Sequence, residues 1–222
     1  MKYIKKSDEP SFFVEDTKEL RLLIKTENDK ADIWDNKYKN KRELKDYILK
    51  YEQNYLCCYC EAKINLDNSH IEHIKPKFLD YDNLTFDYQN LAISCEGICY
   101  SNDNKPLTCG HKKANKYDEN LFLNPLEVEN IREYFIYTDN GQIGSSNLEE
   151  NKAKYTLKLL RLNTFNNYLP EARQKALTAF KNALNKNHIK TKKPLKELAK
   201  IILNKENLAF ISFLRFKYKN LL

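Results

Sequence analysis

The sequence predicts an α+β protein in which two helical ends flank an irregular, cysteine-rich middle. Apolar residues recur at helical spacing near the amino terminus and over the last third of the chain. The middle breaks into short apolar pieces separated by Asp, Asn, Ser and Pro, and it holds all six cysteines and three of the four histidines. An aromatic and β-branched run at 133–137 precedes Asn140-Gly141 and Ile143, which predicts a two-stranded hairpin.

We divide the chain into a helical segment over 1–54, a metal-binding core over 55–124, a hairpin over 125–150 and a basic helical region over 151–222. The expected helices cover 17–26, 41–53, 151–162, a stretch that begins at Pro170, 194–203 and 206–218. Trp34, between the first two helices, is expected to pack in the core. A loop is expected at 190–194, where positive charge is densest.

The composition is that of a soluble globular protein. The 222 residues are 41% hydrophobic and 31% charged, which is enough to bury one core, or one core with a smaller satellite. The first ten residues contain no apolar run of signal-peptide length, so we expect a cytoplasmic protein. All six cysteines lie between positions 57 and 109, and clustered cysteines in a cytosolic chain indicate metal rather than disulfides.

Charge is distributed unevenly along the chain. Residues 151–222 contain 17 Lys and Arg against 3 Asp and Glu, a net charge of +14, whereas the first 150 residues carry −7. A basic block of this size is typical of a surface that binds a polyanion such as nucleic acid. A solvated, lysine-rich helical surface is the alternative interpretation.

Cys57 and Cys60 have the C-x-x-C spacing that lets two thiolates of one tight turn bind the same tetrahedral ion. The other half of the site would come from among Cys95, Cys99 and Cys109. Four thiolates close the coordination shell of zinc, so this zinc would be structural. A redox pair is the alternative, but that interpretation requires a βαβ context that the sequence does not show.

Glu72 and His73 are neighbours in a β-like stretch, where adjacent side chains point to opposite faces. Glu72 can therefore bind a divalent cation while His73, which is unligated, takes a proton from water near neutral pH. A helix is expected to begin at 109, and on it His111 and Asn115, four residues apart, share one face. His111 would complete the cation site.

These residues also have plainer interpretations. A histidine beside an acid is often only an ion pair, and the run 109–113 can be a solvated start of a helix. The concentration of three histidines and four usable cysteines within about 60 residues favours a functional site over packing. His188 lies far from this cluster, and we assign it no role.

Four stretches of the chain resemble the HNH, or ββα-metal (His-Me finger), nucleases: 52–61 with C-C-Y-C, 70–77 with H-I-E-H-I-K-P-K, 88–95, and 109–113 with C-G-H-K-K. More narrowly, they resemble the PtuB-type HNH nucleases of Septu and retron-linked anti-phage systems. The resemblance implies a ββα-metal core with a four-cysteine zinc site, flanked by amino-terminal helices, a hairpin and a carboxyl-terminal helical region.

Carried over residue by residue, the resemblance makes His73 the general base and Glu72 a ligand of a catalytic Mg²⁺ or Mn²⁺. Asn90 would brace the loop and orient the base. The structural zinc would be bound by Cys57, Cys60, Cys95 and Cys109.

One departure from the family pattern concerns the second cation ligand. The commoner HNH pattern has a His or Asn directly after the last cysteine, whereas here Gly110 stands there and His111 follows. Asn115 is therefore kept as an alternative ligand. His70, expected on the same strand face as Glu72, is held in reserve for the metal or for a phosphate contact.

From the cysteine and histidine spacing we expect hydrolysis of phosphodiester bonds in DNA. The resemblance implies an ABC-type (PtuA-like) ATPase as partner and, in retron-linked systems, a reverse transcriptase with its msDNA. Contacts with nucleic-acid phosphates are expected from Lys75, Lys112, Lys113, Lys192 and Lys193. Two alternatives remain open: a nuclease that cleaves RNA, including tRNA, and a zinc-stabilised module that binds nucleic acid without cleaving it.

Overall fold

A computed structural model of the chain describes residues 1–78, 84–97, 107–163 and 168–222. The helices in these ranges are α1 (Ser11–Leu23), α2 (Glu27–Asp32), α3 (Lys41–Ile48), α4 (Cys109–Lys113), α5 (Glu150–Leu160), α6 (Leu169–Thr191), α7 (Leu195–Leu203) and α8 (Ile211–Lys217). The strands are β1 (Ser69–His73), β2 (Leu91–Cys95), β3 (Phe135–Tyr137) and β4 (Ile143–Ser145). The mixture of helices with small sheets is of the α+β class.

The amino-terminal helices begin earlier and break more often than their apolar spacing predicts. α1 begins at Ser11, directly after Pro10, because fully buried Phe13 already belongs to its apolar face. A capping box of Thr26 and Asp29 then starts the separate helix α2. The prediction of one helix over 17–26 is therefore wrong at both ends. α3 continues as a π-helical turn over Leu49–Gln53, so its predicted span, 41–53, agrees with the structure.

β1 and β2 form an antiparallel pair in which His70 lies opposite Ser94 and Glu72 lies opposite Ala92. Alternation along β1 puts His70 and Glu72 on one face and His73 on the other. α4 follows β2 in the chain and packs against it. β1, β2 and α4 therefore carry two of the clustered cysteines, Cys95 and Cys109, and three histidines, His70, His73 and His111.

The predicted hairpin is present. β3 pairs with β4 in antiparallel register, with Tyr137 opposite Ile143, and Gly141 in the turn adopts φ +81°. A side chain is strained at such a φ, which explains the Asn-Gly signal in the sequence. The first strand begins two residues later than predicted, because Ile131–Tyr134 forms a 3-10 turn.

The carboxyl-terminal region is helical, with boundaries that local sequence does not fix. α6 extends to Thr191, through the start of the loop predicted at 190–194. α8 begins at Ile211 rather than 206, because Phe210 adopts φ 55° and its N–H donates to the carbonyl of Glu61 (2.8 Å). None of the described helices combines the length and apolarity needed to cross a membrane.

Aromatic rings join the amino-terminal helices to the segment that precedes β2. Phe13, Tyr38 and Phe86 pack edge to face or tilted against one another, and Trp34 contacts both Tyr38 and Phe86. Trp34 is 5% exposed, as expected for a residue of the core. The same indole also contacts His73, so a residue of the candidate site packs directly against the aromatic core.

Candidate active site and metal centre

Four buried cysteines from three parts of the chain converge. The sulfur atoms of Cys57, Cys60, Cys95 and Cys109 all lie within 4.8 Å of one another, and those of Cys60 and Cys95 are 3.9 Å apart. Zinc binds thiolates at about 2.3 Å in a tetrahedron, which separates the sulfurs by about 3.8 Å. The cluster therefore has the donor atoms, the spacing and the burial that a zinc ion requires.

Backbone hydrogen bonds position the first two of these cysteines. The N–H of Cys57 donates to the carbonyl of Ala62 (2.9 Å), and Glu61, at φ 63°, turns the chain back after Cys60. The N–H of Cys95 donates to the sulfur of Cys57 (3.3 Å). Burial opposes the thiolate, but hydrogen bonds from neighbouring cysteines, Cys109 foremost, hold the pKa of Cys57 well below its usual value.

Two further cysteines, Cys58 and Cys99, remain to be placed. Cys58 is buried but does not belong to the cluster, and burial raises the pKa of its thiol. Cys99 lies outside the described residues. The fourth member of the described cluster is Cys109, which opens α4 at φ 55°.

A cleft of about 230 Å³, lined in part by Gly110, lies beside the four-cysteine cluster. Its walls include most of the residues that the sequence singled out for chemistry, which are His70, Glu72, His73, His111 and Asn115. The structure thus brings together residues from β1, α4 and the turn after α4.

His73 is held as a neutral imidazole. Its Nε2 lies 3.0 Å from the carbonyl oxygen of Thr85, and since a carbonyl only accepts, Nε2 carries the proton and Nδ1 is the acceptor. The ring meets Trp34 edge to face, with centroids 4.5 Å apart. Burial lowers the pKa of His73 to about 4, so the side chain is unprotonated near neutral pH.

Asn90 braces the chain that follows His73. Its side-chain oxygen accepts from the N–H of Lys75 and its amide donates to the carbonyl of the same residue, both at 2.8 Å. The carbonyl of Asn90 also accepts from the N–H of Ile74 (3.0 Å). This paired hydrogen bonding fixes the end of β1, and through it the backbone that carries His73.

Glu72 is a buried carboxylate held by two donors. Lys113 lies 2.8 Å from its Oε1, and the hydroxyl of Tyr59 donates to the same oxygen (3.0 Å). Burial opposes ionisation, but His70 and Lys113 hold the pKa of Glu72 below its ordinary value. Lys113 is 1% exposed, so the expectation that it contacts a phosphate is wrong: its charge neutralises Glu72 instead.

A second group of possible metal ligands lies at the cleft and contains a residue that the sequence did not suggest. His111 Nε2 is 2.6 Å from Glu96 Oε2, and His70 Nδ1 is 3.6 Å from Glu96 Oε1. Burial opposes protonation of His70, but its hydrogen bond to Glu72 raises the pKa of His70. One feature of the sequence could have indicated Glu96 as a possible ligand, namely its position directly after Cys95.

α4 ends earlier than its sequence predicts. Ala114 leaves the helix at φ 49° and ψ −132°, so Asn115 does not share a helical face with His111, although both line the cleft. Gly110 packs directly against the carboxylate: a Cβ there would come within 2.5 Å of Glu72 Oε2 and 2.6 Å of His70 Nε2.

Of the lysines expected to contact phosphate, two more besides Lys113 are engaged by carboxylates. Lys75 forms ion pairs with Glu127 (3.0 Å) and Glu119 (3.8 Å), and Lys193 pairs with Glu197 (2.8 Å). Lys192 is exposed at the end of α6.

Lys112 lines a groove of about 290 Å³ together with Lys116, Tyr155 and Lys158. No described residue forms an ion pair with any of these three lysines. The groove between α4 and α5 therefore offers uncompensated positive charge next to the cleft.

Two groups of side chains that could each hold a metal ion, next to a neutral imidazole, make up a set of residues that a metal-dependent hydrolase could use. No family model matches the chain. A curated protein of Vibrio cholerae serotype O1 biovar El Tor, named "Retron Vc95 putative HNH endonuclease", is 35% identical over 108 residues. The match covers 48% of this chain and 49% of the relative, so the chain spans about half the length of the protein it matches. The similarity supports the HNH family and a nuclease activity, at modest identity.

Proposed function

We propose that the chain is a metal-dependent HNH endonuclease that hydrolyses phosphodiester bonds in DNA. The observation that carries this proposal is the cleft in which neutral His73 lies beside carboxylate and imidazole groups able to hold a divalent cation. The similarity to a retron HNH protein supports the same activity.

His73 acts as the general base in this proposal. Nε2 is occupied by the carbonyl of Thr85, so the lone pair of Nδ1 takes the proton of the attacking water. Trp34 limits rotation of the ring, and Asn90 fixes the strand end behind it. These contacts reduce the reorganisation that the base needs before it reacts.

A divalent cation such as Mg²⁺ or Mn²⁺, when bound in the cleft, stabilises negative charge on the phosphate and on the leaving oxygen. The residues proposed from the sequence to hold it are Glu72 and His111, with Asn115 as an alternative, and all three line the cleft. Cys57, Cys60, Cys95 and Cys109 would hold zinc, which with four thiolate ligands has no open position for substrate and supports the fold.

The groove between α4 and α5 is the surface that we propose for the nucleic-acid backbone near the cleft. Its three lysines are free of carboxylate partners in the described structure, and Tyr155 offers an aromatic face. Of the lysines proposed from the sequence, Lys112 belongs to this groove, and Lys192 and Lys193 would provide a second, separate contact at the end of α6.

Cleavage of supercoiled plasmid with Mg²⁺ or Mn²⁺ tests the function. The zinc-loaded chain should nick or linearise the plasmid, and His73→Ala should reduce the rate by roughly 10² to 10⁴, the usual contribution of a general base. His188→Ala is the matched control, since that histidine lies in α6 and lines no part of the cleft. Zinc content and thermal unfolding of each variant report whether it is folded.

Undiminished cleavage by folded His73→Ala would contradict the mechanism. Cleavage of total tRNA but not of plasmid under the same conditions would change the substrate to RNA. Salt-sensitive binding that Glu72→Ala and His73→Ala leave unchanged, with no cleavage of either substrate, would identify a binding module instead.

We further propose that this nuclease is the effector of an anti-phage complex with an ABC-type, PtuA-like ATPase, and that a retron reverse transcriptase and msDNA are additional partners. The resemblance to Septu and retron-linked nucleases supports the ATPase and the anti-phage role, and the word retron in the name of the relative supports the association with a retron. Co-purification of the chain with such an ATPase, and plasmid cleavage measured with and without ATP, test it. A chain that cuts at the same rate alone and with the ATPase would speak against regulation by that partner.

A further inference from the structure

We propose that the cation of this nuclease is held by His70, Glu96 and His111, with Glu96 in place of Glu72 as the carboxylate ligand. This inference rests on the proposed function and changes the residues assigned to its metal. The three side chains come from β1, from the residue after β2 and from α4, and one ligand atom of each lies within 4.8 Å of the others.

The distances within the group are those of ligands around one ion. Glu96 reaches both histidines, with His111 Nε2 at 2.6 Å and His70 Nδ1 at 3.6 Å, and the two imidazole centroids are 4.4 Å apart. A first-row divalent cation lies about 2.1 Å from nitrogen or oxygen ligands, which places neighbouring ligands about 3 to 3.5 Å apart. Small side-chain rotations suffice to close the group on an ion.

His70 supplies an independent indication of a ligand. Its Nδ1 is buried and has no hydrogen-bond partner among the described residues. A buried polar nitrogen without a partner costs free energy unless something satisfies it. A cation between Nδ1 and Glu96 Oε1 provides that partner.

Glu72 is a poorer carboxylate ligand than Glu96 because it already has partners. Lys113 and Tyr59 both bind its Oε1, and the buried ammonium of Lys113 cancels its charge. The other oxygen, Oε2, lies 3.4 Å from His70 Nε2. Glu72 is therefore a positioning residue that orients His70 and leaves Nδ1 facing Glu96, as carboxylates commonly do for metal-binding histidines.

The zinc cluster fixes two of the three proposed ligands. Glu96 follows Cys95 directly, and His111 lies two residues after Cys109. Once zinc joins these two cysteines, the backbone positions of both ligands relative to each other are set. Structural zinc thereby preorganises the catalytic cation site.

The ligand set also predicts a metal preference. Two imidazoles and one carboxylate suit Mn²⁺ and other transition metals better than Mg²⁺, which prefers carboxylates and water. We therefore expect Mn²⁺ to bind more tightly than Mg²⁺, and to be displaced by Mg²⁺ only at large excess.

Electron paramagnetic resonance of Mn²⁺ added to the zinc-loaded full chain tests the site without reference to cleavage. Wild type should bind Mn²⁺, with spin-echo modulation from coordinated imidazole nitrogen. Glu96→Gln should weaken binding by at least about tenfold, and His70→Ala should reduce the nitrogen modulation. Glu197→Gln, a change at an exposed glutamate of α7, is the control and should bind as wild type does.

The proposal is wrong if folded Glu96→Gln binds Mn²⁺ as tightly as wild type, or if wild type binds Mn²⁺ without nitrogen modulation. Loss of binding only in Glu72→Gln would return the carboxylate ligand to Glu72. Because binding is measured separately, a chain that binds Mn²⁺ as predicted but cuts no nucleic acid would retain this site and refute the proposed function.

Discussion

Gly110 is the residue on which the geometry of the cleft depends most directly. It belongs to α4, where glycine is unfavourable for the helix, yet its missing Cβ leaves room for Glu72 and His70. Both neighbouring side chains are held in place, the carboxylate by Lys113 and the imidazole by the carboxylate. The space above Gly110 is thus part of the site.

Gly110→Ala should disturb the cleft while leaving the zinc cluster loaded. The added methyl would lie within 2.6 Å of both Glu72 Oε2 and His70 Nε2, so both side chains, or the backbone of α4, must move. A displacement of about 1 Å costs about 10² in rate. Plasmid cleavage and zinc content measure the two effects. Gly144→Ala is the control, because its new Cβ would meet only Ile136 at 3.5 Å.

At this scale the sequence predicted the pair Glu72 and His73 on opposite faces, because alternation along a strand is a local property. Glu96 was missed, because only the pairing of β1 with β2 and the folding of α4 bring it to His70 and His111. Lys113 was misplaced on the surface for a similar reason. Its burial follows from a contact with Glu72, 41 positions earlier in the chain.

Among the elements, α4 and α5 form a groove whose three lysines have no carboxylate partner among the described residues. Lys112 and Lys116 come from α4 and the turn after it, and Lys158 comes from α5. The cleft lies on the same short helix through Gly110 and His111. A nucleic acid bound at the cleft would therefore extend along this groove.

The double variant Lys112→Gln with Lys158→Gln should weaken DNA binding and reduce its salt dependence. Each lost phosphate contact lowers the slope of log K against log salt by about 0.9 for duplex DNA, so the pair should lower it by about 1.8. Fluorescence anisotropy at several salt concentrations, without divalent cation, measures this slope.

Lys192→Gln with Lys193→Gln is the comparison, since it removes the same charge from the end of α6. If that variant lowers the slope and the groove variant does not, the nucleic acid follows α6 rather than the groove. If the slope of log K against log salt is the same in wild type and in both variants, neither surface binds the phosphates of the nucleic acid.

The boundaries of helices and strands show where the local sequence is sufficient to predict an element. The hairpin was predicted because Asn140-Gly141 supplies the turn and Gly141 its positive φ, both properties of the local sequence. The start of α8 was not, because it depends on a hydrogen bond from Phe210 to Glu61 across the fold.

For the molecule as a whole, the four-cysteine cluster and its surroundings connect distant parts of the chain. The four cysteines join the turn before β1, the end of β2 and the start of α4. Next to this cluster, Glu61 accepts hydrogen bonds from the N–H (2.8 Å) and hydroxyl (2.5 Å) of Ser212 at the start of α8. α8 therefore packs next to the four-cysteine cluster.

Removal of zinc should unfold the central region rather than only inactivate it. Structural zinc contributes an apparent 10 to 16 kcal/mol in small zinc domains, about the whole stability of a typical domain. Cys109→Ser should lose zinc and the cooperative thermal transition, as measured by metal analysis and circular dichroism. Cys58→Ala, a change at a buried cysteine outside the cluster, should keep both. Zinc retained at wild-type level by Cys109→Ser would show that this cysteine is not a ligand.

The sequence by itself determined the α+β class, the hairpin, the clustering of cysteines and histidines and the opposed faces of Glu72 and His73. Each of these depends on spacing within a few residues, where strand alternation, turn chemistry and C-x-x-C geometry act. Only the tertiary structure decided that Lys113 neutralises Glu72, that Glu96 faces both His70 and His111, and that free lysines gather between α4 and α5. Those contacts join residues far apart in the chain, and burial and charge compensation, rather than local propensity, select them.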